Sequence, residues 1–217
     1  MISTPDTRHS SASPIPVIHI VDDDASFRTA VTRLLRAAKY EVRGYESASE
    51  FLDSDACTEP GCIILDLRMP KASGFELQQS LARLENRLPI VFLTGHGDIP
   101  ASVRAMKAGA VDFLTKPVRR ETLLSAVKNA LNVDAKGRDA RAVWRELHNR
   151  YENLTPRERE VLAHVVSGRL NKQIASDLGA AERTIKAHRA SIMEKLGVQS
   201  VAELVRLAQE LGIEPIR

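Results

Sequence analysis

An apolar run of strand length, Cys62–Leu65, delivers a carboxylate at Asp66, and Pro70 four residues later forbids an early helix. Asp66 is therefore expected at the exposed end of a buried strand, which is where open α/β sheets carry their chemistry. Three other apolar runs end in polar residues. Val17–Val21 leads into Asp22-Asp23, Pro89–Leu93 into Thr94, and Ala110–Leu114 into Thr115-Lys116-Pro117. In a parallel sheet the carboxyl ends of all strands lie along one edge, and an order 2-1-3-4-5 puts the switch point between strands 1 and 3. Three carboxylates then meet in one crevice. Like charges that close need a hard cation or a shared proton between them, and an oxygen-only ligand set without His or Cys selects Mg²⁺ over zinc. With the metal bound, Asp66 could attack a phosphoryl group. Mg²⁺ and the Lys116 ammonium would offset charge on its oxygens, and the Thr94 hydroxyl could donate to one of them. Taken singly, such residues are mostly turns, caps or solvated side chains. Their joint occurrence on the right strand ends carries the reading.

The elements that must position them follow from periodicity. Helical segments are expected at Ala25–Ala38, with Phe27, Ala30, Val31, Leu34 and Leu35 on one face, and at Ala48–Leu52, Phe75–Leu84, Ile99–Ala108 and Arg119–Leu131. Together with the runs above and a weak strand at Glu41–Tyr45 they make five βα units from residue 17 to residue 131. That is a doubly wound, five-stranded parallel sheet with helices on both faces, of the flavodoxin-like kind. Residues 1–16 are Ser/Thr/Pro-rich and read as a disordered tail. Residues 132–153 form a charged linker marked by Gly137, in which Ala140–Tyr151 has the option of a helix with Val143, Trp144, Leu147 and Tyr151 on its apolar face.

Residues 154–217 read as a separate all-α domain of four helices punctuated by glycines. Thr155-Pro156-Arg157-Glu158 has the spacing of a capping box with proline at the first helical position. Helices are expected to run from there to Ser167, over Lys172–Leu178, Ala181–Leu196 and Val201–Leu211. In the third of these, Ile185, Ile192 and Leu196 mark the buried side, while Arg183, Lys186, Ala187, Ala190 and Glu194 face away. A short helix, a glycine turn and a longer helix with a basic, small-residue face make a helix-turn-helix that enters the major groove. Lys186 suits a guanine edge or a phosphate, and Ala187 and Ala190 allow close approach to thymine methyls. Lys172, Arg189 and Lys195 suit phosphates. His188 falls near the buried side and reads as a core histidine.

Charge distribution agrees. The net charge of the 217-residue chain is +3. Residues 1–133 hold 16 basic and 16 acidic side chains, whereas residues 134–217 hold 15 against 12, so any attraction to polyanions belongs to the second half. Aromatic residues make up 4% of the chain, which leaves no stacking platform for single-stranded bases. Cys57 and Cys62 lack the partners of a zinc site, and with no apolar run of membrane-spanning length a reducing, cytoplasmic setting is expected.

Residues 17–131 resemble a response-regulator receiver domain. Thr94-Gly95-His96-Gly97-Asp98-Ile99-Pro100 and Met106-Lys107-Ala108-Gly109-Ala110-Val111-Asp112-Phe113 are similar to the FixJ-type branch. The resemblance implies that Asp66 is the phospho-acceptor and that Asp22, Asp23, Asp66 and the backbone carbonyl of Arg68 hold Mg²⁺. It further implies that Thr94 and Phe113 are the switch pair and that Lys116 is the phosphoryl-binding lysine before a cis proline. His96 has no assigned role. Leu154–Gly212 resembles a LuxR-type helix-turn-helix domain, through Thr155-Pro156-Arg157-Glu158-Arg159-Glu160-Val161-Leu162, Asn171-Lys172-Gln173-Ile174-Ala175 and Thr184-Ile185-Lys186-Ala187-His188-Arg189. DNA contacts are then expected from Lys172, Arg183, Thr184, Lys186, Ala187, Arg189, Ala190 and Lys195. The whole is similar to a NarL/FixJ-type response regulator: a non-enzymatic transcription factor, at most phosphorylating and dephosphorylating itself, activated by a histidine kinase and bound to promoter DNA. Dimerisation through the last helix, contact with RNA polymerase and no membrane association are implied as well.

One departure stands out. The family usually has Ser or Thr before the recognition helix, where this chain has Ala180-Ala181, so the reading end of that helix is expected to fray without DNA. A rival reading takes Asp22 and Asp24 as the D-x-D pair of a haloacid-dehalogenase-type, Mg²⁺-dependent phosphatase. It expects Thr or Val at Ser26 and an acidic pair on a later strand end, neither of which is present.

Overall fold

A computed structural model of the protein describes residues 14–70, 72–83, 88–95 and 99–213. Most of the expected tail, His96 and the last four residues of the expected second domain lie outside the described residues. The chain divides into two units, residues 1–137 and 138–217.

In the first unit five strands, β1 (Val17–Val21), β2 (Glu41–Tyr45), β3 (Gly61–Leu65), β4 (Ile90–Thr94) and β5 (Asp112–Thr115), form one parallel sheet in the order β2-β1-β3-β4-β5. The three interior strands β1, β3 and β4 are buried along their whole length, whereas the edge strand β2 buries only Val42 and Tyr45. Helices α1 (Ala25–Ala37), α2 (Ala48–Leu52), α3 (Gly74–Leu81) and α4 (Ile99–Lys107), and the first part of α5 (Arg120–Glu152), wrap the sheet. A 3₁₀ turn at Asp55–Thr58 precedes β3 and was not legible as an element.

Period-two alternation sends neighbouring strand residues to opposite faces. Ile18, Ile20, Cys62, Ile64, Val91 and Leu93 pack with Val31 and Leu35 of α1 and with Leu123, Val127 and Ala130 of α5. Val21, Ile63, Leu65 and Phe92 pack on the other face with Phe51, Leu77 and Ala105. Burial pushes the Cys62 thiol up to about 12, so it is an inert core group.

β3 begins where only glycine fits. A Cβ on Gly61 would stand 1.9 Å from the Val17 carbonyl oxygen. The Gly61 N–H donates at 2.9 Å to the buried carboxylate of Asp134, which ties α5 to the start of β3.

The expected boundary at Leu131 is not a helix end: α5 continues through Gly137 to Glu152. A helical glycine costs about 1 kcal/mol relative to alanine, which is small against the tertiary contacts on either side of it. Beyond the glycine, Arg150 pairs with Glu146 at 2.9 Å, and Leu147 and Tyr151 pack on the core of the second unit. The remaining helices of that unit are α6 (Pro156–Val166), α7 (Asn171–Asp177), α8 (Glu182–Leu196) and α9 (Val201–Glu210). Their core is Val161, Leu162, Ile174, Ile185, Ile192, Leu196 and Leu204.

Candidate functional site

The loops after β1, β3 and β5 converge at one edge of the sheet. Carboxylate oxygens of Asp22, Asp23 and Asp66 all lie within 4.8 Å of one another. Asp22 and Asp66 are buried and Asp23 is exposed, so the cluster opens to solvent on one side. Lys116 Nζ donates to Asp22 Oδ2 at 2.6 Å and reaches Asp66 Oδ2 at 3.4 Å. It also stands 3.9 Å from the centroid of the Phe27 ring.

Local backbone chemistry holds these side chains. The Lys116 N–H donates to the Thr94 carbonyl at 2.8 Å, and the Lys116–Pro117 peptide is cis. Asp22 Oδ1 accepts from the Asp24 N–H at 2.9 Å, and the Asp22 carbonyl accepts from Arg28 Nη1 at 2.6 Å. Burial raises the Asp22 carboxyl above its ordinary value against the downward pull of its Lys116 hydrogen bond. Asp66 differs from Asp22 in one decisive respect. Its Oδ1 is buried and accepts no hydrogen bond, while Oδ2 faces the lysine. A buried carboxylate oxygen without a donor is costly unless something electrophilic is meant to occupy it.

Gly74, at the start of α3, permits this arrangement. A Cβ there would stand 2.4 Å from the Asp66 carbonyl oxygen. Thr94 is buried at the end of β4, next to Thr115 in register. Phe113 is half-buried, with its ring 6.0 Å from that of Phe92, which in turn lies 5.6 Å from Phe75. Arg68 lies exposed in the loop after β3. Asp24 is committed elsewhere: its Oδ1 accepts from the N–H groups of Ser26 and Phe27 at 2.8 and 3.1 Å and so caps α1. That leaves the rival phosphatase without its second carboxylate. The roles of Phe27, Arg28 and Gly74 were not visible in the sequence, where Phe27 looked like one more core-facing position of α1.

In the second unit α7 and α8 form the helix pair, and Lys172, Arg183, Thr184, Lys186, Ala187 and Ala190 are exposed. Ile185, Ile192 and Leu196 are buried as expected, and His188 is half-buried. Two candidate contacts are engaged within the unit. Arg189 Nη1 donates to Asn171 Oδ1 at 2.8 Å, and Lys195 Nζ donates to Glu158 Oε2 at 2.7 Å. Glu158 caps α6 with Thr155 and also accepts from the Ser191 hydroxyl at 2.7 Å, so one buried carboxylate fixes α8 against the start of α6. Burial pushes that carboxyl up, but the bonds from Lys195, Ser191 and Thr155 outweigh it and leave it at about 2. α8 itself starts on Ala181 with no side-chain cap, and Lys186 pairs with Glu182 at 3.4 Å.

Known proteins give the same division. Residues 18–128 match the response regulator receiver domain, and residues 152–208 match the bacterial regulatory proteins of the luxR family. The chain is 45% identical to nodulation protein W of Bradyrhizobium diazoefficiens over 94% of its own length and 90% of that protein. It is 38% identical to the transcriptional regulatory protein FixJ of the same organism, over 90% of this chain and 96% of the other. Among solved structures, the response regulator StyR superposes with a TM-score of 0.80 at 46% identity, covering 90% of this chain and 99% of that one. Full-length FixJ from B. japonicum gives 0.56 at 37% identity, covering 92% and 98%. Nothing in these likenesses supports a phosphatase.

Proposed function

The chain belongs to the response regulators that join a receiver domain to a LuxR-type DNA-binding domain, and on that premise we propose that Asp66 is its phospho-acceptor. It is a transcriptional regulator, with a histidine kinase as the partner that its receiver implies and DNA as the ligand that its second domain implies. The observation that carries the assignment of Asp66 is its buried, unpartnered Oδ1 beside two further carboxylates and an ammonium. An oxygen with no hydrogen bond to give up is the more available of the two for attack on phosphorus.

The all-carboxylate donor set fits Mg²⁺ held by Asp22, Asp23 and Asp66, with the Arg68 carbonyl as a further ligand. When bound, the ion would offset charge on the transferred phosphoryl oxygens. The protein's own groups do the rest. Asp66 Oδ1 forms the bond to phosphorus as the donor's bond to phosphorus breaks. Lys116 holds one phosphoryl oxygen and the Thr94 hydroxyl another, and Phe113 takes up the space that Thr94 vacates. Self-phosphorylation from small donors and self-dephosphorylation are the only chemistry this arrangement calls for. New charge at Asp66 then shifts a two-state equilibrium of α4, β5 and α5.

On DNA, the exposed face of α8 lies in the major groove, with Lys186, Ala187 and Ala190 toward base edges and Arg183, Thr184 and Lys172 toward phosphates. Arg189 and Lys195 reach the backbone only by giving up Asn171 and Glu158. We place the receiver at 17–131, the connecting segment at 132–153 and the DNA-binding domain at 154–217, the chain acting in the cytoplasm as a dimer through α9 and in contact with RNA polymerase. Among the described residues no helix is long and apolar enough to cross a membrane.

The test is labelling from a small phosphodonor with Mg²⁺, together with mobility shift of promoter DNA at two salt concentrations. Wild type takes label and Asp66→Asn takes none, and DNA affinity rises on phosphorylation and falls with salt. Label that survives Asp66→Asn removes the assignment.

A further inference from the structure

The Lys116 ammonium has three protons and, within the pocket, two carboxylates. Asp22 Oδ2 takes one at 2.6 Å and Asp66 Oδ2 lies at 3.4 Å. The remaining side faces Phe27, whose ring centroid is 3.9 Å from Nζ. That is well inside the distance at which an aromatic face attracts a cation. Phe27 is half-buried and packs against the core between α1 and the sheet, so its ring is not free to follow the lysine. Lysine otherwise carries a compact charge on a flexible four-carbon stem that water would readily draw out of a pocket.

We infer that Phe27 is a positioning residue for phosphoryl transfer, its ring face holding the Lys116 ammonium over Asp66. The inference rests on the role proposed above for Lys116 and adds the group that keeps it there. Asp24 supports it from the chain itself. By capping α1 through the N–H groups of Ser26 and Phe27, it fixes the first turn from which the ring projects. The carboxylates alone do not fix the ammonium, because Asp22 and Asp66 are both drawn to whatever other cation enters the cluster. The ring is not, since a metal ion gains its ligands from oxygen.

The test replaces Phe27 in the full chain with phenylalanines carrying one, two and three ring fluorines. These keep the ring's shape and progressively cancel the negative charge of its face. Phosphorylation rate from acetyl phosphate with Mg²⁺ is expected to fall stepwise across the series, by about three- to tenfold in total for an attraction of this kind. Phe27→Leu is expected to match the trifluorinated end, and Phe27→Tyr to stay near wild type. In a lysine-labelled sample the ε-methylene protons of Lys116 are expected at high field under the ring, moving to ordinary positions in Phe27→Leu. Rates that stay level across the fluorinated series, or a Lys116 resonance unmoved by Phe27→Leu, overturn the inference. Failure of the wild type to take label overturns the reading of the pocket instead. The Lys116 resonance still decides whether the ring holds the ammonium.

Discussion

Lys116 and a divalent cation compete for the same oxygens, and Lys116→Met makes that competition measurable. In the structure the ammonium occupies Asp22 Oδ2 at 2.6 Å and lies 3.4 Å from Asp66 Oδ2, with its side chain 18% exposed. A metal ion bound by both carboxylates must take over at least the first of these contacts. A hydrogen bond between charged groups contributes roughly 1.5–3 kcal/mol. Removing it from the free state should therefore tighten Mg²⁺ binding by about 10- to 100-fold, with relief of cation–cation repulsion acting in the same direction. Isothermal titration calorimetry of the full chain at pH 8 gives the number. The gain should shrink as pH falls. Burial already raises the Asp22 carboxyl, and loss of the lysine removes the contact that pulls it down, so protons displace the metal at a higher pH than in the wild type. Phosphorylation from a small donor should slow in the same variant, because the ammonium is no longer there to receive phosphoryl charge. Tighter metal with slower chemistry is a combination that a collapsed pocket cannot produce. Mg²⁺ affinity that is unchanged or weaker at pH 8 refutes the argument.

Three further outcomes follow from other parts of the fold. His19 is fully buried in β1 with its Nδ1 3.3 Å from the Tyr45 hydroxyl, and burial chiefly, with Glu59 opposing and Arg43 assisting, lowers it to about 4. The native state keeps it neutral while the unfolded chain protonates near 6.5, so its share of receiver stability is complete above pH 6.5 and declines as pH falls toward 4, by about 3 kcal/mol in all. Urea melts followed by β1 amide resonances should show this slope, and His19→Val should flatten it; an equal slope in both counts against it. Glu158→Gln should destabilise the helical unit by about 2 kcal/mol, since the Lys195 and Ser191 contacts lose their charged acceptor, as read from its own melting transition. Its carboxyl sits at about 2, so that contribution is present above the ordinary carboxylate range and fades only as pH falls toward 2. Ala181→Ser should cap α8, adding about 1 kcal/mol and slowing amide exchange at Glu182–Ile185, where the present helix has no side-chain cap.

The clustering of the pocket's carboxylates and lysine was legible because a parallel sheet converts sequence into position with little freedom. Once Cys62–Leu65 is a strand, Asp66 must stand at its carboxyl end, and the same step places Asp22, Asp23, Thr94 and Lys116 along one edge. The helical surroundings obey a looser rule. Periodicity put Phe27 on the inward face of α1, which is correct, but it cannot say that the ring ends under the ammonium that follows β5 rather than under another leucine. Gly137 looked like a break because propensity is a local quantity, whereas Leu147 and Tyr151 beyond it are held by packing that no window of sequence contains. Asp134 carries no signal at all, its partner Gly61 being 73 residues away.

The basic face of α8 illustrates the same limit in a form that bears on function. The sequence sets Lys186 on the outward face and Arg189 and Lys195 toward its flanks, but treats all three as cations available to DNA. In the fold they are not equally available. Lys186 is paired with Glu182 on the surface, where solvent screens the attraction to little, so it can be transferred to DNA at almost no cost. Lys195 is bound to a carboxylate that is itself buried and caps another helix, and withdrawing it would leave that charge exposed to its own desolvation. Arg189 similarly fastens α8 to the first residue of α7. A cation's distance from DNA therefore decides less than the partner it must leave. Two cations of α8 thus hold that helix in place, whereas Lys186 carries only a solvent-exposed pair with Glu182.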